Sequence, residues 1–199
     1  ILEKGVKKEK IEFMPNWAEN IFEEDMKINK KKYKHLIPSG FVVMFAGNMG
    51  KAQDLGNILN AIKLTNDKIK WIFLGEGRKL KWFSNEIKEK KLNSKVKILG
   101  GYPLEEMPHF FCHADLTLVS LTNDYIFSLT MPGKVQSYMA SGKPIVTMLN
   151  GEGNRIIQSA NCGFCADASD YIKLADNITN ASNFLKKRIA CLMIMELQI

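Results

Sequence analysis

A doubly wound α/β fold, with helices covering both faces of a parallel sheet, is predicted by three observations. From about residue 41, short β-branched or aromatic runs alternate with stretches whose apolar residues recur at helical spacing. Three of those runs end in glycine-bearing turns, as expected of loops at one edge of such a sheet. The runs themselves are nearly uniformly apolar, the signature of strands buried on both faces.

The strand candidates, in order, are Phe41 to Ala46, Ile69 to Leu74, Val96 to Leu99, Leu116 to Val119 and Pro144 to Met148. Between the first two, Leu55, Ile58, Leu59 and Ile62 fall on one helical face; after the second, Leu80, Phe83, Ile87 and Leu92 do the same. Ahead of them, residues 1–40 carry Ile11 to Met14, then Pro15-Asn16-Trp17, then a charged segment to Lys34. This reads as the end of a linker followed by a lead-in helix. Residues 41–185 form the domain. Residues 186–199 are a tail in which Ile189 to Met195 is almost wholly apolar, so it either packs against a missing part or is not native-like.

Composition narrows the function classes. With 46% hydrophobic and 25% charged residues, the 199-residue chain has the profile of an ordinary globular protein. Lys plus Arg outnumber Asp plus Glu by 28 to 21, and the net charge of +7 favours an anionic partner: a nucleotide diphosphate, a nucleic acid or an acidic membrane surface. The basic runs at Lys7 to Lys10, Lys30 to Lys32 and Lys186 to Arg188 lack interleaved aromatics, so they read as solvated faces rather than nucleic-acid platforms. No apolar stretch is long enough to span a bilayer and no signal-peptide layout opens the chain, which predicts a cytoplasmic protein. Cys162-Gly163-Phe164-Cys165 has C-x-x-C spacing without a second pair, and reads as small buried hydrophobes rather than a metal or redox site.

The glycine loops are the first candidates for function. They are Gly47-Asn48-Met49-Gly50-Lys51, Gly75-Glu76-Gly77-Arg78 and Gly100-Gly101-Tyr102-Pro103. Each alone is an ordinary turn, yet together they allow a ligand close approach to backbone. Neither G-x-x-x-x-G-K-[ST] nor G-x-G-x-x-G is present, which disfavours an ATPase or a dehydrogenase.

The richest segment is Leu129 to Val146. Its punctuation predicts a helix beginning at Pro132, with Thr130 or Met131 near the cap and Gly142 at the stop. A helix amino terminus offers free N–H groups and a positive dipole end to phosphate. Lys134 adds a cation in the first turn; taken alone, it reads as a solvent-facing lysine.

The succession Pro15-Asn16, Gly47-Asn48-Met49-Gly50, Phe73-Leu74-Gly75-Glu76-Gly77, Leu99-Gly100-Gly101-Tyr102, Ala114-Asp115, Pro132-x-Lys134 and Tyr138-Met139-Ala140-x-Gly142-Lys143-Pro144 resembles the carboxy-terminal domain of retaining GT-B glycosyltransferases. The similarity covers residues 11 to about 180. It is greatest to the branch that builds capsule, O-antigen and related surface polysaccharides, fucosamine transferases among them.

The resemblance implies a Rossmann-like domain, one half of a GT-B fold, that holds a nucleotide sugar, usually a uridine diphosphate (UDP) sugar, without an obligatory metal. It also implies a peripheral relationship to the inner membrane, and an amino-terminal acceptor domain or partner chain without which this chain completes no transfer. Carried over, Gly101 and Tyr102 lie beside the base, with Gly75 on the same edge. Thr130, Pro132, Gly133 and Lys134 lie beside the diphosphate, and Gly47, Asn48, Gly50, Lys51 and Gln53 approach from the other side. Glu152 flanks the cleft, and Ser137 bonds a ribose hydroxyl. Lys134 and Lys51 are the candidates for stabilising the leaving group.

The sequence departs from the family in two places. Two glutamates eight positions apart in many members fall here on Leu129 and Ser137, and a basic pair falls on Asn48 and Gln53. Two competing readings remain: a UDP-sugar epimerase of the same architecture, disfavoured because His35, His109 and His113 lie outside the glycine loops, and a binding subunit that serves a separate acceptor-binding chain. A chain opening at Ile1 rather than methionine is expected to be a piece of something longer.

Overall fold

The computed structural model describes residues 2–12, 14, 17–22 and 27–184. Among these, six strands form an all-parallel sheet: β1 (Phe41–Ala46), β2 (Ile69–Leu74), β3 (Val96–Gly100), β4 (Leu116–Ser120), β5 (Ile145–Met148) and β6 (Gly163–Ala166). Their order is β3-β2-β1-β4-β5-β6. The helices are α1 (Leu55–Leu64), α2 (Leu80–Glu89), α3 (Met107–Phe111), α4 (Tyr125–Ser128), α5 (Lys134–Ala140), α6 (Glu152–Ser159) and α7 (Tyr171–Phe184).

Strand β1 shows why the sheet is covered on both faces. Its side chains alternate, as a pleated strand requires. Phe41, Val43 and Phe45 pack with Ile58 and Ile62 of α1, Phe83 of α2 and Leu174 and Ile178 of α7. Val42, Met44 and Ala46 pack with Phe110 and Phe111 of α3, Val135 and Tyr138 of α5 and Ile157 of α6. The helically spaced Leu55, Ile58, Leu59 and Ile62 are all buried, as their period predicts.

The chain leaves β1 toward β2 and β3, then returns to β4 and runs the other way through β5 and β6. Neighbours β1 and β4 are therefore the switch point, where an open α/β sheet parts to admit a ligand at its carboxyl edge. Asp115 clasps the two strands at their amino ends: its carboxylate accepts from the Val42 N–H at 2.7 Å and its own N–H donates to the Val42 carbonyl at 2.9 Å.

Four sequence expectations need correction. The sheet has a sixth strand, β6, which contains Cys165 and directly follows Cys162. Gly-Phe-Cys-Ala has weak strand propensity but pairs with β5 because Gly163 has no side chain; a Cβ there would stand 1.9 Å from the Ile145 carbonyl oxygen. The helix expected from Pro132 starts two residues later, at Lys134, with Gly133 as its cap. Helix α6 begins at Glu152, which is expected only to flank the cleft, and α7 follows it. Among the described residues before β1 there is no α-helix, only single 3-10 turns at Leu2–Lys4, Lys8–Lys10, Asn20–Phe22 and Lys34–Leu36.

The reason for the last difference is that residues 27–37 lack an apolar stripe and are held instead by individual contacts. Tyr33 stacks on Phe110 with ring centroids 4.0 Å apart, and its hydroxyl donates to Glu106 at 2.9 Å. Lys32 pairs with Glu106 at 2.6 Å; these two partners hold the Glu106 carboxyl below its ordinary value. His109 accepts from the Asn29 N–H, and the His113 ring contacts the Lys32 carbonyl, so both histidines fasten this segment. Pro15-Asn16 and the tail at 186–199 lie outside the described residues.

Candidate functional site

At the switch point the carboxyl ends of β1, β2 and β3 open into a cavity of about 390 Å³, a volume typical of small-ligand sites. Ala46, Gly47, Leu74, Gly75 and Gly101 form its floor. One wall is the start of α5, with Gly133, Lys134, Ser137 and Tyr138. The other is apolar, built from Tyr102, Leu104, Met107 and Phe111 together with Trp17 and Phe22 of the leading segment, and Glu19 stands beside them.

Helix α5 is fixed by its buried face. Val135 and Tyr138, three residues apart, enter the second core layer. The Tyr138 hydroxyl accepts from the Ala46 N–H at 2.8 Å and donates to the Ala46 carbonyl at 3.2 Å. The β1–β4 pairing stops at Met44 and Thr117, so this hydroxyl satisfies the last turn of β1 where a neighbouring strand no longer can. Burial pushes the Tyr138 phenol well above its ordinary value, which keeps it a neutral hydroxyl. Tyr138, in the most distinctive block of the sequence, thus fixes Gly47 and the helix start relative to each other.

Lys134 occupies the first turn that this arrangement presents to the cavity. The residue as a whole is half-buried, yet its ammonium nitrogen is shut off from solvent and has no hydrogen-bond partner among the described residues. It lies 3.9 Å from the centroid of the Phe45 ring. A Cβ on Gly47 would come within 3.3 Å of it, so glycine at 47 leaves room for the cation. Burial pushes its pKa down to about 7. The ring offers a cation–π contact but no hydrogen bond, and an unpaired buried cation is costly without a partner.

The glycine loops have a second physical role. Gly75 would place a Cβ 2.0 Å from the Gly47 carbonyl, and Gly77 would place one 2.5 Å from the Met49 carbonyl. The Gly47 N–H donates to Leu74 at 2.9 Å and the Gly75 N–H to Gly100 at 2.7 Å, which extends the sheet pairing past the strand ends. Gly75 and Gly77 therefore serve the packing of loop on loop, and that packing makes the cavity floor.

The structure brings Gly47, Gly75, Gly101, Tyr102, Gly133, Lys134 and Ser137 together around one cavity. It does not bring Asn48, Gly50, Lys51, Gln53, Thr130, Pro132 or Glu152 to its lining. Gln53 instead accepts from the Gly50 N–H at 3.0 Å, which shapes the turn, and Thr130 bonds the Phe127 carbonyl at 3.2 Å. Glu152 is held by Arg155, whose Nε donates to it at 2.7 Å. Lys51 is exposed and Leu129 projects into solvent. Trp17, Glu19, Phe22, Leu104, Met107 and Phe111 also line the cavity, although no sequence signal marks them; they belong to no motif and reach it only through the fold. Among the described residues no group of three or more His, Cys, Asp or Glu could hold a metal ion, and no helix is long and apolar enough to cross a membrane.

A Rossmann-like sheet with a glycine-floored crevice at the switch point between β1 and β4 places this chain among the doubly wound α/β proteins. Comparison with known proteins gives the family: residues 40–183 match the family described as glycosyl transferases group 1, and the chain belongs to it. It is 30% identical over 172 residues to the probable glycosyltransferase WbjE of Pseudomonas aeruginosa, a match that covers 82% of this chain and 42% of that protein. Its fold matches the crystal structure of WaaG, a glycosyltransferase involved in lipopolysaccharide biosynthesis, with TM-score 0.74 at 13% identity over 90% of this chain and 49% of that one. It also matches Anabaena Alr3699/HepE in complex with UDP and glucose, with TM-score 0.61 at 19% identity over 87% of this chain and 51% of that one. The chain thus spans about half the length of these proteins, or less.

Proposed function

We propose that this chain is the carboxy-terminal, donor-binding half of a retaining GT-B glycosyltransferase that transfers a sugar from a UDP-sugar to a surface-polysaccharide or lipid-linked acceptor. The observation that carries this reading is the Lys134 ammonium, buried beside the glycine floor of the cavity and unpartnered among the described residues. UDP bound to a fold relative and the lipopolysaccharide role of another support the choice of donor and acceptor class.

In such a transfer the bond between the anomeric carbon and the β-phosphate oxygen breaks, and its electron pair leaves with the diphosphate. Lys134 and the N–H groups at the start of α5 stabilise the charge that grows there, in a site where they need not reorganise. The cation at Lys134 supplies countercharge without a divalent metal. The acceptor and the groups that act on its hydroxyl belong to an amino-terminal domain or partner chain, and the +7 charge suits work near an acidic membrane surface.

Titration calorimetry with UDP, with and without chelator, tests the binding half of this reading. Equal affinity in both conditions is expected, and absence of binding or its loss in chelator contradicts the reading. Incubation with UDP-sugar and acceptor is expected to give no transfer by this chain alone, because half of the substrate-orienting cleft is missing.

A further inference from the structure

The cavity holds one carboxylate that the proposed transfer chemistry leaves unused. Among the described lining residues Glu19 is the only acid, and it comes from the leading segment, 118 residues away in sequence from the Ser137 it meets. Phe22, in the turn that follows, is stacked on Phe111 at 5.9 Å between centroids, which fastens this stretch to α3. The Ser137 hydroxyl donates to Glu19 Oε2 at 2.8 Å.

This pair has a definite chemical preference. Ser137 has one proton and has given it to Glu19, so both side chains now offer only acceptor lone pairs to the cavity. Such a cluster repels phosphate and invites O–H groups, and a carboxylate can take both hydroxyls of a vicinal diol. Ser137 follows Lys134 by three residues on the same side of α5, about 4.5 Å further along the helix axis. A ligand whose anionic group meets Lys134 therefore offers Glu19 the neutral, hydroxyl-bearing group adjoining it. In a nucleotide sugar that group is a sugar ring, either the ribose or the transferred sugar.

We propose that Glu19, held by Ser137, is a specificity-determining residue that accepts hydroxyls from a sugar ring of the bound nucleotide sugar. This rests on the nucleotide-sugar reading of the cavity. It also makes the leading segment a part of the donor site rather than a linker alone. Glu19 is exposed at the cavity mouth, so its truncation leaves no hole in the core.

The test is calorimetry on the 199-residue chain and its Glu19→Ala, Glu19→Gln and Ser137→Ala variants, with thermal melts confirming equal folding. UDP, 2′,3′-dideoxy-UDP and UDP-glucose are the probes. Glu19→Ala is expected to weaken binding roughly three- to tenfold, with Glu19→Gln between it and the parent because its amide oxygen still accepts. A loss seen with UDP and absent with dideoxy-UDP assigns the ribose; a loss confined to UDP-glucose assigns the transferred sugar. An equal loss with dideoxy-UDP, no loss with any probe, or tighter binding of all three overturns the proposal. If UDP binds and Lys134→Met weakens it about ten- to a hundredfold while Glu19→Ala changes nothing, this inference alone fails. If the parent chain binds no UDP, the nucleotide-sugar reading falls first and takes the inference with it.

Discussion

The ammonium of Lys134 rests 3.9 Å from the centre of the Phe45 ring, with no hydrogen-bond partner among the described residues. A cation in that position destabilises the ligand-free protein. Its folded pKa of about 7 lies below the ordinary 10.5, so the unfolded chain binds the extra proton between those values. The penalty is therefore fully present below pH 7 and fades as pH rises toward 10.5. Lys134→Met should stabilise the ligand-free protein at pH 7 by on the order of 2–4 kcal/mol, and the gain should vanish near pH 10.5. Thermal melts across this range check it; a destabilised variant at pH 7 would place Lys134 among the groups that hold the fold together.

The same proton sets the pH dependence of binding. A diphosphate meets a charged Lys134 below pH 7 and must draw a proton onto it above. UDP affinity should fall as pH rises from 7 to 9, approaching tenfold per unit where the bound lysine stays protonated. A phosphate's last ionisation lies near 6 and does not produce this slope. Lys134→Arg, always charged, should flatten it. Calorimetry in matched buffers measures both profiles.

Tyr138→Phe removes both bonds to Ala46 and leaves a buried N–H at the end of β1 without a partner. Stability should drop by about 1–3 kcal/mol in urea unfolding. An unchanged midpoint would mean that the hydroxyl is dispensable to the join between β1 and α5.

Gly75→Ala drives a methyl group into the Gly47 carbonyl at a backbone angle of φ +125°, and should cost about 3 kcal/mol. Gly56, in α1 with nothing within 4 Å of where a methyl would stand, is the control. Gly56→Ala should stabilise the chain by about 0.5–1 kcal/mol. Equal effects would remove loop-on-loop packing as the reason for glycine at 75.

How much of this was legible in the sequence depends on which force acts at each position. Strands β1 and β2 announce themselves because burial on both faces demands continuous apolar runs, and α1 because its core face repeats every three or four residues. β6 does not, since Gly163 to Ala166 becomes a strand only by leaning on β5. Residues 27–37 belong to the stretch expected to hold a lead-in helix but are held by Tyr33, Glu106 and two histidines that lie far apart in sequence. The glycine loops and the start of α5 pointed to the site. The burial of Lys134 did not show, because a lysine near a helix start ordinarily reaches solvent and its approach to the Phe45 ring and Gly47 is made only by the fold. Glu19 carries no motif, and nothing local connects it to Ser137. Glu152 and Lys51 follow strands as the glycine loops do, but Glu152 opens α6 and Lys51 opens a 3-10 turn, and neither reaches the cavity lining.

The most direct measurement is a calorimetric titration of UDP into the parent chain, Lys134→Met and Lys51→Ala at pH 7. If the buried cation holds the diphosphate, Lys134→Met should lose about ten- to a hundredfold in affinity while Lys51→Ala stays within about twofold, and uridine without phosphates should not distinguish the three. Equal losses from both substitutions would contradict the account by leaving only the general positive field, as would a Lys134→Met variant that binds UDP as tightly as the parent.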